Sequence, residues 1–233
     1  MGGFREAERA GVYKAIFLRR DIRKFRPDPI PSEVIHRLLL AAHHAGSVGF
    51  MQPWDFVVIR DRGVRKQVRE SFLRERDRAA SHYEGERRER FLSLKLEGIL
   101  ESDLNICVTC DRTRGGPHVL GRSAILETDL FSTCCAVQNL WLAARAEGIG
   151  VGWVSILQPA ELSEILGLPA HVVAVAYLCV GYVEEFPREP ELQKAGWRHR
   201  LPLTGLLHFE RWQGKADGDW QALWDQLRER EDC

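Results

Sequence analysis

The chain has 233 residues, 45% hydrophobic and 28% charged, which is enough for one substantial core and far from a disordered composition. Basic and acidic residues balance at 33 each, so no global field draws the protein to nucleic acid or an anionic membrane, and any polyanion must be recognised by local clusters. Met1 to Ala10 lacks the apolar core of a signal peptide, and the longest apolar run, Val172 to Val183, is too short to span a bilayer; the expectation is a soluble, cytoplasmic protein with no membrane partner.

In chain order, Tyr13, Ile16 and Phe17 recur at helical spacing and lead into Arg19-Arg20-Asp21-Ile22-Arg23, placed where a helix ends and the chain turns. The rigid Pro27-Asp28-Pro29-Ile30-Pro31 precedes a helix with Ser32 as its cap and Ile35, Leu38, Leu39 and Ala42 on one face, ending at His43-His44. Ser47-Val-Gly-Phe-Met-Gln-Pro-Trp54 is a run of apolar, amide and aromatic groups suited to a flat heterocycle. Asp55 to Arg60 reads as a short strand, and 62–101 as charge-rich, surface-exposed helices broken near Gly85, a candidate lid.

Leu104 to Cys110 reads as a buried strand and Arg112 to Arg122 as a mobile loop. Ala124 to Glu147 is the longest helical pattern, apolar on nearly every side and stopped by Gly148, as befits a core centre or a dimer interface. Val151 to Ile156 and Val172 to Gly181 are strand-like, separated by a helix from Pro159 to about Gly167. After Tyr182 the chain turns irregular around a second cluster, Trp197-Arg198-His199-Arg200-Leu201-Pro202. A final amphipathic helix carries Trp220, Leu223, Trp224 and Leu227, with a cap near Asp217 or Asp219. The predicted architecture is α+β: a single domain over 1–233 with 206–233 as a C-terminal extension.

The six cysteines lack regular spacing and read as small hydrophobes, including Cys134-Cys135 inside the long helix. Cys107-Val-Thr-Cys110 has no second pair to complete a zinc site, so no metal is expected. Dinucleotide, P-loop and nucleophile-elbow motifs are missing from the sequence. What remains is chemistry for one polyanion. Planar guanidinium groups at Arg19, Arg23, Arg198 and Arg200 can grip phosphate oxygens bidentately, and a planar-ring segment between the clusters points to a nucleotide or flavin.

Arg-Arg-Asp-Ile-Arg-Lys-Phe at 19–25, Gln52-Pro53-Trp54, Gly148 to Gly152, Gly181-Tyr182 and Arg198-His-Arg-Leu-Pro202 resemble the FMN-binding signature of the nitroreductase fold, from about residue 13 to 205. The resemblance implies a central, mostly antiparallel sheet flanked by helices, an obligate homodimer with FMN at its interface, and phosphate held by Arg19, Arg23, Arg198 and Arg200. It extends the cofactor contacts to Arg20, Asp21, Ile22, Gln52, Lys95, Trp153 and Ser155.

Arg-Arg-Asp at 19–21, Ala41-Ala-His-His-Ala45, the 47–54 segment and Gly150-Val-Gly-Trp-Val-Ser-Ile156 are similar to the flavin-consuming branch of that fold, the 5,6-dimethylbenzimidazole synthases. That branch uses reduced FMN and molecular oxygen to release dimethylbenzimidazole, the lower base of vitamin B12, and erythrose 4-phosphate. It implies Asp21 as a catalytic base and Ser155 as a second catalytic group, with a flavin reductase drawing on NAD(P)H as the electron source. A nitroreductase or flavin reductase that recycles its FMN shares every phosphate contact and stays open as an alternative, as does a non-catalytic flavin carrier.

Overall fold

A computed structural model describes residues 2–231, which divide into two compact units meeting at Arg188 and Glu189. The first unit is built on a four-stranded sheet in which every neighbouring pair is antiparallel, in the order β1-β2-β4-β3: β1 is Trp54–Ile59, β2 Leu104–Asp111, β3 Ile149–Val154 and β4 Val172–Tyr182. Leu104, Ile106, Val108, Ala176, Leu178 and Val180 point to one face, and Cys107, Tyr177 and Cys179 to the other, as the two-residue period of a pleated strand requires. Both faces are covered, which is why β2 reads as a continuous apolar run instead of an alternating one.

One face packs on α2 (Ser32–His43) and α5 (Thr128–Ala146), with Val34, Leu38 and Ala42 of α2 meeting Ala136, Val137, Leu140 and Trp141 of α5. The other face receives Val68 and Phe72 of α3 (Arg62–Ala80) and Leu162 of α6 (Pro159–Leu166). α1 (Glu6–Leu18) packs on α5, and α4 (Gly85–Ser93) lies beside α3.

Four readings need correction. Ser32 does not cap α2: Pro31 is the N-cap residue and no side chain supplies a cap bond. The buried stripe of α2 starts one residue earlier, at Val34, leaving Ile35 and Leu39 partly buried at its margin. α5 starts at Thr128, four residues after the sequence pattern suggests, and it is two-faced. Small and polar residues such as Ser132, Thr133 and Ala136 let it approach the sheet, while Cys134 and Cys135 face outward. Trp220 belongs to a short 3-10 turn, Gly218–Trp220, that precedes the last helix.

The segment 62–101 divides in character. α3 is a core helix through Val68 and Phe72, whereas α4 buries only Phe91. The CxxC residues lie in β2, Cys107 in the cluster facing α3 and α6 and Cys110 bonded to Thr133 of α5, so their thiols point to opposite faces and cannot share a metal.

The second unit, from Glu189, contains α7 (Glu191–Lys194), two 3-10 turns and α8 (Gln221–Glu231). Its centre is aromatic: Phe209 lies 5.7 Å from Trp220 and 6.1 Å from Trp224 between ring centroids, and Trp220 Nε1 donates to Glu210 at 2.7 Å. Among the described residues no helix is long and apolar enough to cross a membrane.

Candidate functional site

The first arginine cluster begins where α1 ends. Arg19 is extended, and residues 21–23 then run along the outer side of β3. Asp21 makes a parallel bridge with Val151, and the Ile22 amide donates to the Val151 carbonyl at 3.0 Å while its side chain is buried. Gly152 makes this approach feasible: a Cβ there would collide with the Ile22 carbonyl oxygen and with Arg23 Nη1.

The close approach assembles a polar knot. Asp21 Oδ1 accepts from the Trp153 amide at 2.9 Å and from Arg23 Nη1 at 2.5 Å, and Asp21 Oδ2 accepts from Arg23 Nη2. Arg23 Nη2 also donates to the Trp153 carbonyl at 2.9 Å, and Nη1 to that of Ile22 at 3.1 Å. The Arg23 guanidinium is thus committed to the Asp21 carboxylate and the β3 backbone, in the bidentate geometry that makes such pairs strong and directional.

Arg20 turns the other way, its Nη1 donating to the carbonyls of Phe17 and Arg19, both at 2.8 Å, and its Nη2 to that of Arg188 at 2.6 Å. Its Nε is buried without a hydrogen bond among the described residues. Arg19 stacks its guanidinium 4.6 Å from the Trp141 ring centroid, and Trp141 in turn lies 6.3 Å from Trp153. Ser155 follows the end of β3, exposed, two residues beyond the amide that holds Asp21.

The 47–54 segment is strained. Gly49, Phe50 and Gln52 all have positive φ, at 59°, 52° and 47°, and the two non-glycine residues pay a conformational cost that occurs mainly at functional sites. Bonds on several sides hold it: the Gln52 amide donates to Ser47 Oγ at 3.1 Å, and Arg114 Nη1 donates to the carbonyls of Gln52 at 3.2 Å and Trp54 at 3.1 Å. Arg114 is itself gripped by both oxygens of Asp55 at 2.8 Å, a bond that raises its pKa above the ordinary arginine value. Sequence reasoning placed Arg114 in a mobile loop. It missed this role because nothing in the spacing of Asp55 and Arg114 signals that β1 and the loop meet.

Lys95 is exposed and pairs with Glu101 at 2.6 Å. In the second unit Arg198 and Arg200 are exposed, and the Arg200 amide contacts Gln193 Oε1 at 3.4 Å. The structure therefore gathers Asp21, Ile22, Arg23 and Trp153 at β3, stacks Arg19 on Trp141, turns Arg20 toward Arg188, leaves Ser155 exposed just past the strand end, sets Gln52 in a strained loop and pairs Lys95 with Glu101.

The donor set suits a phosphorylated, polyhydroxylated ring compound. Arg20 Nε is a buried donor in need of an acceptor, Ser155 offers an exposed hydroxyl, and the partly exposed Trp153 supplies flat apolar surface, backed by the buried Trp141. FMN fits that description, with Arg23 as a brace for Asp21.

Comparison with known proteins agrees. The nitroreductase family model matches residues 16–182. A 5,6-dimethylbenzimidazole synthase of Rhodospirillum rubrum is 44% identical over 184 residues, 79% of this chain and 87% of that protein. One from Rhodobacter capsulatus is 39% identical over 199 residues, 85% of this chain and 96% of the other. Among solved structures, an iodotyrosine deiodinase bound to FMN and 3-iodo-L-tyrosine superposes with a TM-score of 0.67 at 19% identity, covering 86% of this chain and all of that one.

Proposed function

The chain belongs to the nitroreductase family and, within it, to the 5,6-dimethylbenzimidazole synthases; on that premise we propose that it takes reduced FMN as substrate and, with molecular oxygen, divides it into 5,6-dimethylbenzimidazole, which takes its imidazole carbon from the ribityl chain, erythrose 4-phosphate, and the oxidised remainder of the pyrimidine ring. The flavin supplies both the electrons that activate oxygen and the dimethylbenzene ring that becomes the product.

In this reading Arg19, Arg20, Arg198 and Arg200 hold the phosphate, because guanidinium groups bind a dianion with charge-assisted hydrogen bonds. Ile22, Gln52 and Trp153 line the ring and its polar edge, Lys95 joins them only by giving up its pairing with Glu101, and the apolar residues Val48 to Met51 keep water from the ring. Asp21 is the base: Oδ1 stays fixed by the Trp153 amide while Oδ2 receives a proton from the ribityl carbon next to the ring. Arg23 sets the direction of that carboxylate and must yield its bond to Oδ2 for the proton to arrive. Ser155 Oγ donates a hydrogen bond that orients the reacting edge.

The observation that supports this reading best is the Asp21 carboxylate held by the Trp153 amide, two residues before the exposed Ser155 at the end of the same strand. A plain phosphate binder gains nothing from a negative charge beside its ligand.

We further propose a homodimer. α1 packs on α5, and the two helices leave the apolar side chains of Val12, Tyr13, Ile16, Phe17 and Phe131 exposed, Phe131 at 58%, as a second copy of the chain would cover them. A separate flavin reductase using NAD(P)H supplies the reduced substrate. The test is isotope tracing: FMN labelled in its dimethylbenzene ring is incubated with the protein, a flavin reductase and NAD(P)H, in air and under nitrogen. Label in dimethylbenzimidazole in air alone supports the reading, and label retained entirely in FMN in both refutes it.

A further inference from the structure

We propose that the loop joining β2 to α5 forms a second binding site, for a small molecule that carries a carboxylate or phosphate group on an apolar body. It contains a cavity of about 400 Å³, lined by Arg112 and Arg122, the hydroxyl residues Thr113 and Ser123, and Gly116, Pro117 and Leu126. None of the flavin-site residues named above lines it.

The two arginines that line the cavity share one carboxylate. Asp129, in the first turn of α5 and only 1% exposed, faces both arginines, with Arg112 Nη1 at 2.8 Å from Oδ1 and Arg122 Nη2 at 3.0 Å from Oδ2. One carboxylate thus serves two guanidinium groups, and no other carboxylate pairs with either among the described residues. Arg114, the next arginine, is bound by Asp55 at 2.8 Å and lies 3.6 Å from Asp111, which leaves Asp129 alone to serve the two arginines of the cavity. The surplus positive charge is largely withdrawn from water, the Arg122 side chain being 15% exposed.

Hydrogen bonding is incomplete at the same place. Arg122 Nη2 donates to the Arg112 carbonyl at 2.5 Å, but Arg122 Nε and Asp129 Oδ2 are two of the four buried side-chain atoms without a hydrogen-bond partner among the described residues. A latch that only tied the loop to α5 would need neither a second cation nor an open cavity. An oxyanion in the cavity neutralises the surplus charge, a turn of the Arg122 side chain brings its Nε, buried in this conformation, to that oxyanion, and Pro117 and Leu126 then contact the body behind it. The volume lies within the range of small-molecule sites and exceeds what a bare phosphate fills.

The experiment titrates the full-length protein, FMN-free and FMN-loaded, with benzoate, phenyl phosphate, acetate and inorganic phosphate, followed by calorimetry. Benzoate or phenyl phosphate is expected to bind at one site with or without FMN and at least tenfold more tightly than acetate or inorganic phosphate, the tighter of the two identifying the anion class. Arg122→Gln should weaken that binding at least tenfold. Arg122→Lys, which keeps the ion pair with Asp129 but lacks Nε, should do the same with an unchanged circular dichroism spectrum and unchanged FMN affinity. Absence of binding by all four probes, displacement of the probes by FMN, or full-strength binding to Arg122→Lys overturns the proposal.

Discussion

Gly152→Ala tests whether Asp21, the carboxylate proposed as the base, is held by the close approach of residues 21–23 to β3. The added Cβ meets the Ile22 carbonyl and Arg23 Nη1. β3 cannot retreat, because Gly152 is paired with Cys179 in the buried sheet, so the 21–23 segment must lift. Three bonds are then at stake: Ile22 amide to Val151 carbonyl at 3.0 Å, Trp153 amide to Asp21 at 2.9 Å and Arg23 to the Trp153 carbonyl at 2.9 Å. One neutral bond at about 1 kcal/mol and two charge-assisted ones at about 1.5–3 each set an upper limit near 4–7 kcal/mol. The segment lies at the surface and water replaces part of this, leaving a destabilisation of roughly 2–4 kcal/mol. For a protein of this size that lowers Tm by about 5–15 °C in calorimetry. Dimethylbenzimidazole formation by Gly152→Ala at a temperature where it is folded should fall further than its FMN affinity, since Asp21 loses its orientation. A Tm within about 2 °C of the wild type together with normal product formation would refute the reasoning.

Asp21→Asn keeps an oxygen for the Trp153 amide but turns an NH2 toward Arg23 and cannot accept the proton; the variant should retain FMN by fluorescence quenching while product formation falls by about 10²–10⁴, the usual weight of a positioned base. Arg198→Gln and Arg200→Gln should each weaken FMN binding by about tenfold to a hundredfold, the loss of one charge-assisted bond, with secondary structure unchanged by circular dichroism. Burial pushes the thiols of Cys107 and Cys179 up to about 12, above their unfolded value near 9. Stability from both groups is therefore complete below pH 9 and is lost as pH rises from 9 toward 12, by up to about 1.4 kcal/mol per pH unit per thiol. Denaturant unfolding at pH 8, 9.5 and 11 should trace that decline, and Cys107→Val should remove about one proton's share of the slope.

The sheet and most helices are legible in the sequence because their signals are local: unbroken apolar runs at 104–110 and 172–181, Pro159 at a helix start, and Gly148 and Gly167 with positive φ just past helix ends. The two faces of α5 are harder to read, since its buried side carries Thr128, Asp129, Ser132 and Thr133, residues that composition assigns to the surface, while its outer side carries Phe131 and two cysteines. Asp21 stands out because a carboxylate among arginines is chemically odd. The arrangement of Arg23 does not, because a pairing two residues away in sequence exists only once residues 21–23 lie against β3, and that depends on the missing side chain of Gly152. The same holds for Arg114, whose grip on the Gln52 carbonyl spans 62 residues.

The most direct test of the account is a single turnover. Purified protein is mixed in air with one equivalent of chemically reduced FMN, while flavin absorbance is followed and products are resolved by mass. Permanent loss of the flavin band with an equimolar amount of 5,6-dimethylbenzimidazole is the predicted result, and full return of oxidised FMN without that product would contradict the account.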